Sequence, residues 1–193
     1  MSNRPAISGV VLAGGRGRRM GGQDKGWVSY RGRPLVEWTI ERLAPQVDEL
    51  FISANRNLDR YAALGHPVLR DPLPDYPGPL AGILAALRRA RHPLLLVVPC
   101  DTPAIPLDLA QRLHQALVAA DAEIARVHDG RRWQPLHALL RTHLADDLAM
   151  ALAGGERRLT QWQARHRLAR ADYADLPQAF CNLNDMTALQ SST

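Results

Sequence analysis

The only lysine of the chain lies at the end of a glycine-rich segment, where its charge could bind phosphate. An apolar run from Gly9 leads into five glycines and three arginines and then to Lys25, in GVVLAGGRGRRMGGQDKGW. Of the 24 basic residues, Lys25 is the only lysine. Glycines let backbone N–H groups approach phosphate oxygens, and an ammonium is a compact charge where a guanidinium is a flat fork. The segment therefore predicts a polyphosphate-binding loop in which arginine does not serve at position 25.

Two common phosphate-binding motifs are excluded by residues of this loop. A Walker motif needs glycine directly before its lysine, but Asp24 is there. The dinucleotide pattern G-x-G-x-x-G begins at Gly15 and Gly17 and fails at Met20. A plain connection that is merely basic and solvated is the alternative, but such loops usually have about 2–6 residues, and this one is about twice that length.

Carboxylates and amides follow several predicted strands. Asp101 follows LLLVVPC and is the predicted metal ligand, with an N-cap for the next helix as the alternative. Asp71 follows HPVLR and could bind metal or the nucleoside, or form a turn before Pro72. Ser53 and Asn55 end the predicted strand LFISAN, and Asn182 and Asn184 follow the apolar pair AF. Because ligands of parallel α/β sheets bind beyond the carboxyl ends of the strands, we expect these residues at one edge.

The elements that must position these residues alternate between strands and helices. AISGVVLA and LLLVVP are short apolar runs typical of strands buried on both faces, and DELFISAN and HPVLRD predict two more strands. Pro34 is expected to open one helix, and apolar stripes predict two others, from Leu80 to Leu87 and from Leu109 to Leu117. The pattern predicts an α/β fold with a mainly parallel twisted sheet and helices on both faces.

The second half of the chain departs from this alternation. Two apolar runs flank Asp129-Gly130, a hairpin turn signal, which predicts a small antiparallel excursion. The tail predicts a helix, a strand near HRLARADY and a last strand-to-helix passage through AFCNLNDMTAL.

Composition restricts the class of protein. The 193 residues suit one domain, and the net charge of +5 with a pI near 9.9 suits anionic ligands. No apolar run approaches the roughly 20 residues of a membrane span, and no signal peptide is recognisable. Two cysteines far apart in the chain favour a reduced, cytoplasmic protein.

The loop LAGGRGRRMGGQDKG resembles the L-A-G-G-x-S-x-R-M-G-x-D-K signature of nucleotidyltransferases, and most closely that of the molybdenum cofactor guanylyltransferase family. Later blocks resemble that family in the same order: DPLPDYPGPLAGI, PCDTPAIP, AGGERR and FCNLND. Gly17 stands where serine is common, and Ser53 where asparagine is expected. The resemblance implies a Rossmann-like nucleotidyltransferase fold and an enzyme that transfers GMP from GTP to the terminal phosphate of molybdopterin or its molybdenum form. Pyrophosphate would be released, and Mg²⁺ would be required.

The resemblance also implies roles for residues. The catalytic residues would be Lys25, Arg19 and Asp101, and Asp101 would bind the metal ion. GTP would contact Leu12, Ala13, Gly14, Gly15, Lys25, Ser53, Asn55, Asp71, Gly78, Pro79, Gly82 and Asp101. Molybdopterin would contact Arg157, Arg158, Asn182 and Asn184, since asparagine amides suit a pterin edge and arginines suit its phosphate. A single nucleotidyltransferase domain, 1–193, would thus have a GTP-binding half at about 1–105 and an acceptor half at about 106–193.

Other functions remain open at this point. A cytidylyltransferase for the same cofactor would usually carry L-A-A-G where this chain has LAGG. A sugar-phosphate nucleotidyltransferase is usually longer and has a different loop. A basic RNA- or nucleotide-binding module without turnover is the non-enzyme alternative, but exposed aromatics do not interleave with the basic stretches. The expected partners are GTP, the cofactor and transient proteins that deliver or accept it, with no nucleic acid and no membrane.

Overall fold

The computed structural model describes residues 5–13, 24–71 and 78–182, and its centre is one seven-stranded sheet. Its strands in sheet order are β5 (Val68–Leu69), β4 (Glu49–Ser53), β1 (Ile7–Leu12), β6 (Leu94–Pro99), β8 (Trp133–Arg141), β7 (Ile124–His128) and β9 (Leu168–Asp172). A separate small antiparallel pair is formed by β2 (Ser29–Tyr30) and β3 (Arg33–Pro34).

The direction of the strands defines the edge where a ligand would bind. β1 is parallel to β4 and β6, β4 is parallel to β5, and β7 is parallel to β9. β8 is antiparallel to both of its neighbours, β6 and β7. The carboxyl ends of the six other strands therefore meet at one edge of the sheet. This confirms the predicted mainly parallel sheet with an antiparallel excursion in the second half.

Helices cover both faces of the sheet, as the apolar stripes predict. They are α1 (Leu35–Leu43), α2 (Leu58–Ala62), α3 (Pro79–Arg89), α4 (Leu109–Ala119), α5 (Ala145–Ala153) and α6 (Leu159–Gln163). One buried cluster lies between the sheet and α1, α2 and α4; the other lies between the sheet and α3, α5 and α6. The predicted stripe of α3 is fully buried, since Leu80, Ile83, Leu84 and Leu87 are each at most 3% exposed.

The hairpin between β7 and β8 forms at the predicted turn. Asp129 accepts hydrogen bonds from the backbone N–H groups of Arg131 and Arg132 and from the Gln134 amide, and Gly130 has a φ of +89° that favours glycine. These bonds lower the pKa of the Asp129 carboxyl against the opposing effect of its burial, which is the largest single influence. The carboxylate thus stabilises the turn that reverses β8.

The tail differs in part from the prediction. The expected helix and strand are α6 and β9, but Pro177–Phe180 forms a short 3-10 helix where the passage through AFCNLND predicts a strand. Pro177 occupies the first position of this helix, where its fixed φ suits a helical turn and its missing N–H costs no hydrogen bond, which favours the 3-10 helix. The rest of that passage, from 183 on, lies outside the described residues. In the parts of the chain that the structure covers, no helix is long and apolar enough to cross a membrane. The division into a GTP half and an acceptor half stays a prediction.

Candidate functional site

Most of the predicted site residues lie along the edge where the parallel strands end. Ala13 follows β1, Ser53 ends β4, Asp71 lies two residues beyond β5, and Asp101 lies two residues beyond β6. Four of the predicted residues, Gly14, Gly15, Arg19 and Asn184, lie outside the described residues.

Lys25 and Asp101, which are 76 residues apart, form an ion pair. Lys25 Nζ lies 2.9 Å from Asp101 Oδ2, and the two side chains are 36% and 18% exposed. Lys25 opens a 3-10 helix at Lys25–Trp27, and Asp101 lies in the turn after β6. The helix that follows Asp101 begins only at Leu109, after Asp108, so Asp101 is not its N-cap. The structure thus brings together the lone lysine and the carboxylate that the sequence singles out separately.

Asp24 is buried beside Lys25 and fixes the end of the glycine loop. Its carboxylate accepts hydrogen bonds from the hydroxyl of Tyr61 (2.7 Å), the amide of Asn57 (2.8 Å) and the backbone N–H of Gly26 (3.2 Å). Burial and the neighbouring Asp24 carboxylate raise the pKa of the Tyr61 phenol, so the hydroxyl keeps its proton and donates it to this bond. Gly26 packs so tightly that an added Cβ would collide with the Tyr61 hydroxyl.

Asn55 and Asp71 join the ends of β4 and β5. The Asn55 amide donates to Asp71 Oδ2 at 2.7 Å, and the Asp71 backbone N–H donates to Asn55 Oδ1 at 3.0 Å. Burial raises the pKa of the Asp71 carboxyl, and the Asn55 amide partly offsets this rise by bonding the carboxylate. The pair holds one amide and one carboxylate in fixed orientation at the edge where the parallel strands end, which is called the rim below.

Ser53 and Gly82 share one small volume where α3 crosses β4. Ser53 is 2% exposed, and its carbonyl accepts the backbone N–H of Ala13 at 2.8 Å. An added Cβ at Gly82 would collide with the Ser53 hydroxyl and lie 3.2 Å from a methyl of Leu12. The helix therefore approaches the strand ends closely only because residue 82 is glycine.

The start of α3 lies beside the predicted acceptor segment. Gly78 has a φ of +88°, and Pro79 occupies the first helical position, where a missing N–H costs no hydrogen bond. A Cβ built on Gly78 would lie 3.9 Å from the backbone carbonyl oxygen of Arg157. The segment predicted to contact GTP and the segment predicted to contact molybdopterin are therefore neighbours.

The predicted acceptor residues are bonded mainly to their own turn. Arg157 Nη1 donates to the carbonyls of Leu152 and Glu156, at 2.9 and 2.7 Å. The Glu156 carboxylate accepts the backbone N–H groups of Arg157 and Arg158 and a guanidinium N–H of Arg165. Arg157 and Arg158 are exposed, whereas Asn182 is half-buried and contacts other residues.

Several residues that sequence reasoning missed support the Asp101 turn. The hydroxyl oxygen of Thr102 lies 2.9 Å from His137 Nε2, and the Thr39 hydroxyl donates to the carbonyl of Cys100 at 3.2 Å. Burial lowers the pKa of His137 to about 3, so the imidazole is neutral. Phe180 packs edge-on against this ring, with centroids 5.0 Å apart. No local pattern marks His137, because β8 is buried at four consecutive residues from His137 to Leu140 and does not alternate.

The described residues hold no group of three or more His, Cys, Asp or Glu side chains arranged around a metal position. Asp101 is nevertheless a suitable ligand for a hard cation, because its carboxylate is partly accessible and projects beyond a rigid strand end. Magnesium usually takes one or two carboxylates and completes its shell with substrate phosphates and water. The side chains present therefore fit a metal ion that arrives with a nucleotide.

The family model and the curated relatives place the chain in the same family. Residues 9–169 match the MobA-like NTP transferase domain. A protein of Burkholderia ambifaria named molybdenum cofactor guanylyltransferase is 52% identical, over 95% of this chain and 93% of its own. A protein of the same name from Shewanella loihica is 46% identical, over 93% and 92% of the two chains.

Solved structures share the fold at lower identity. Molybdopterin-guanine dinucleotide biosynthesis protein A from Archaeoglobus fulgidus superposes with a TM-score of 0.75 at 23% identity, over 96% of this chain and all of its own. A nucleotidyl transferase from Methanothermobacter thermautotroptrophicus gives a TM-score of 0.74 at 22% identity, over 99% and 98% of the two chains. The predicted nucleotidyltransferase fold is confirmed.

Proposed function

The chain belongs to the MobA-like NTP transferases, among the molybdenum cofactor guanylyltransferases, and on this premise we propose that it transfers GMP from GTP to the terminal phosphate of molybdopterin or its molybdenum form. The observation that carries the proposal is the ion pair between Lys25 and Asp101 at 2.9 Å. It puts an ammonium and a carboxylate side by side beyond the carboxyl ends of β1 and β6, where a triphosphate and its metal ion are expected to bind.

The proposed reaction needs no protein nucleophile and no general base. An oxygen of the acceptor phosphate is already ionised at neutral pH and attacks the α-phosphorus of GTP. The bond between the α-phosphorus and the bridging oxygen breaks, and pyrophosphate leaves with the electron pair. Catalysis then depends on positioning the two substrates and on neutralising the negative charge that they bring together.

Lys25 and Asp101 divide this task between them. Lys25 neutralises charge on the β- and γ-phosphates and on the leaving pyrophosphate, together with Arg19. Asp101 holds the Mg²⁺ ion, which when bound offsets phosphate charge and aligns the phosphate oxygens. In the free protein each of the two side chains already has the other as its partner, which keeps both near the position that they need once GTP is present.

The remaining roles are those that the family resemblance implies. Backbone groups of Leu12, Ala13, Gly14 and Gly15 approach the guanosine and its phosphates, and Ser53, Asn55 and Asp71 line the nucleoside side. Guanine lies against the segment of Gly78, Pro79 and Gly82. Arg157, Arg158, Asn182 and Asn184 bind the pterin and its phosphate, and the short distance between Gly78 and Arg157 supports adjacent sites for donor and acceptor.

The protein is further proposed to act in the cytoplasm and to contact, transiently, the proteins that deliver its acceptor and receive its product. These contacts follow from the lability of the cofactor. They add no requirement to the chemistry.

The decisive experiment measures pyrophosphate release by the purified protein with each of the four nucleoside triphosphates, with and without Mg²⁺ and molybdopterin. Of the four nucleotides, we expect only GTP to give pyrophosphate, and only when both Mg²⁺ and molybdopterin are present. Preferential turnover of CTP would contradict the guanylyl specificity and favour a cytidylyltransferase. Salt-sensitive RNA binding with no pyrophosphate from any nucleotide would contradict the enzymatic function altogether.

A further inference from the structure

Tyr61, a buried residue of α2, is linked to the lone lysine through Asp24. We propose that Tyr61 is a positioning residue for Lys25: its hydroxyl holds Asp24, and Asp24 holds the segment that directs the ammonium towards Asp101. The inference rests on the proposed function, because it assigns Lys25 to the triphosphate. It adds a residue 36 positions further along the chain that lies outside the glycine loop and outside every motif of the sequence.

The contacts of the segment place Lys25 between two anchored neighbours. On one side Asp24 is only 8% exposed and binds the Tyr61 hydroxyl at 2.7 Å. On the other side Gly26 is buried, its backbone N–H donates to the same carboxylate oxygen, and its Cα packs against the Tyr61 hydroxyl. Both flanking residues thus depend on Tyr61, and the backbone of Lys25 has little freedom to move.

Aromatic packing makes this anchor rigid. The Tyr61 side chain is completely buried, and its ring lies 5.0 Å from that of Trp27, which follows the anchored segment. Arg60 precedes Tyr61 on α2, and its guanidinium lies 3.9 Å from the centre of the Trp27 ring. A phenol held in this way has one position for its hydroxyl. A longer, flexible donor would let the Asp24 carboxylate take several positions.

The same anchor connects the two sides of the predicted nucleotide site. Asn57, which binds the second Asp24 oxygen at 2.8 Å, belongs to the loop that also carries Asn55 and its bond to Asp71. Asn57 has a φ of +51°, a conformation that asparagine tolerates better than most residues. The loop after β4 therefore bonds to the lysine segment on one side and to the nucleoside-side pair on the other.

A double-mutant cycle separates positioning from a general contribution to folding. Tyr61→Phe removes one hydroxyl and keeps the ring. We expect it to lower kcat on the order of tenfold with little change in the KM for GTP, because charge on the leaving pyrophosphate grows in the transition state. In the Lys25→Ala background the same change should lower kcat by less than about twofold, since no ammonium remains to be positioned.

Tyr173→Phe is the matched control. Tyr173 is also fully buried, and its hydroxyl donates to a carboxylate, that of Asp108, at 3.3 Å. Its removal should cost stability, measured as the thermal unfolding midpoint, and leave kcat unchanged. A fall in kcat for Tyr61→Phe that exceeds the fall for Tyr173→Phe at equal loss of stability supports positioning.

Three outcomes would count against the inference. An unchanged kcat for Tyr61→Phe overturns it. An equal fractional loss with and without Lys25 overturns it as well, because the hydroxyl then acts independently of the lysine. Failure of the unsubstituted protein to release pyrophosphate from GTP is recognised before any substitution is made and removes the proposed function together with this inference.

Discussion

The proposed donor side and the proposed acceptor side of the rim are built differently. On the donor side, polar side chains bond across large sequence separations: 76 residues for Lys25 with Asp101 and 37 for Asp24 with Tyr61. On the acceptor side, the Glu156 carboxylate bonds, within the part of the chain that the structure describes, to residues up to nine positions away, on an exposed turn. The first arrangement is set by the whole sheet and its helices, whereas the second is set by one local turn.

This difference predicts which side of the rim determines the rate and which determines binding of the acceptor. A group whose position is fixed by the fold stabilises developing charge without rearranging during the reaction, and such groups usually contribute most to the rate. A group on an exposed local turn can adapt to its ligand and contributes mainly to binding. Substitutions on the donor side should therefore change kcat, and those on the acceptor side should change the KM for the acceptor.

Lys25→Ala should have the largest effect. Loss of one charge at the leaving pyrophosphate is expected to lower kcat by roughly 10²–10³-fold, the usual range for a single preorganised donor. Stability should change little, because a partly exposed ion pair contributes about 1 kcal/mol or less. Lys25→Arg should also be impaired, since a guanidinium fork does not replace a compact ammonium. Steady-state kinetics with folding checked by circular dichroism measures both, and full activity of Lys25→Ala would remove the loop from the mechanism.

Asp101→Asn should come next in size. The amide lacks the charge that attracts Mg²⁺, so the Mg²⁺ concentration for half-maximal turnover should rise by at least the roughly 10–100-fold that losing an outer partner of a metal costs. Titration of activity with Mg²⁺ at saturating GTP measures this shift. Asp108→Asn, which changes a carboxylate seven positions after Asp101, is the control. An unchanged Mg²⁺ dependence in Asp101→Asn would assign the metal to another residue.

Arg158→Ala tests the acceptor side and should have a smaller effect. The loss of one exposed cation is expected to raise the KM for molybdopterin about tenfold while GTP binding, measured by calorimetry, stays the same. Arg165→Ala, which removes a neighbouring guanidinium bonded to Glu156, is the comparison for indirect effects on the turn. Weaker GTP binding in Arg158→Ala would contradict the assignment of Arg158 to the acceptor side.

The last prediction concerns stability instead of catalysis, and it tests the support beneath the Asp101 turn. Burial lowers the pKa of His137 from 6.5 to about 3, so below pH 6.5 the unfolded chain takes up a proton that the folded chain refuses. The free energy of unfolding should therefore fall as the pH drops from 6.5 towards 3, by up to about 1.4 kcal/mol per pH unit from this residue.

His137→Gln should flatten that slope. Urea unfolding measured at several pH values between about 4 and 6.5 compares the variant with the unsubstituted protein. Thr102→Val is the matched control, because it removes the hydrogen-bond partner and keeps the buried imidazole. A slope in His137→Gln equal to that of the unsubstituted protein would mean that another group takes up the proton.

The strands and their common edge could be predicted from the sequence because the signals are local. The apolar run of β6, the stripe of α3 and the turn at Asp129-Gly130 each depend on a few neighbouring residues. Lys25 stood out by its residue type, and Asp101 by its place after a buried strand. These properties can be read without knowing which elements are adjacent.

The residues that hold the site in place could not be predicted in this way. Tyr61 and His137 act through contacts with residues distant in the sequence, and no local pattern marks either of them. Pairing of this kind becomes visible only when the elements are assembled.

The single ammonium of the chain also makes the rim chemically addressable. Lys25 has the only side-chain amine, and about a third of that side chain is exposed. A lysine-specific protease can therefore cut the polypeptide only before the tightly packed Gly26, and an amine-reactive mass label can modify only one side chain. Protection of that position by an added nucleotide would be a direct footprint of occupancy, obtained from the unaltered protein.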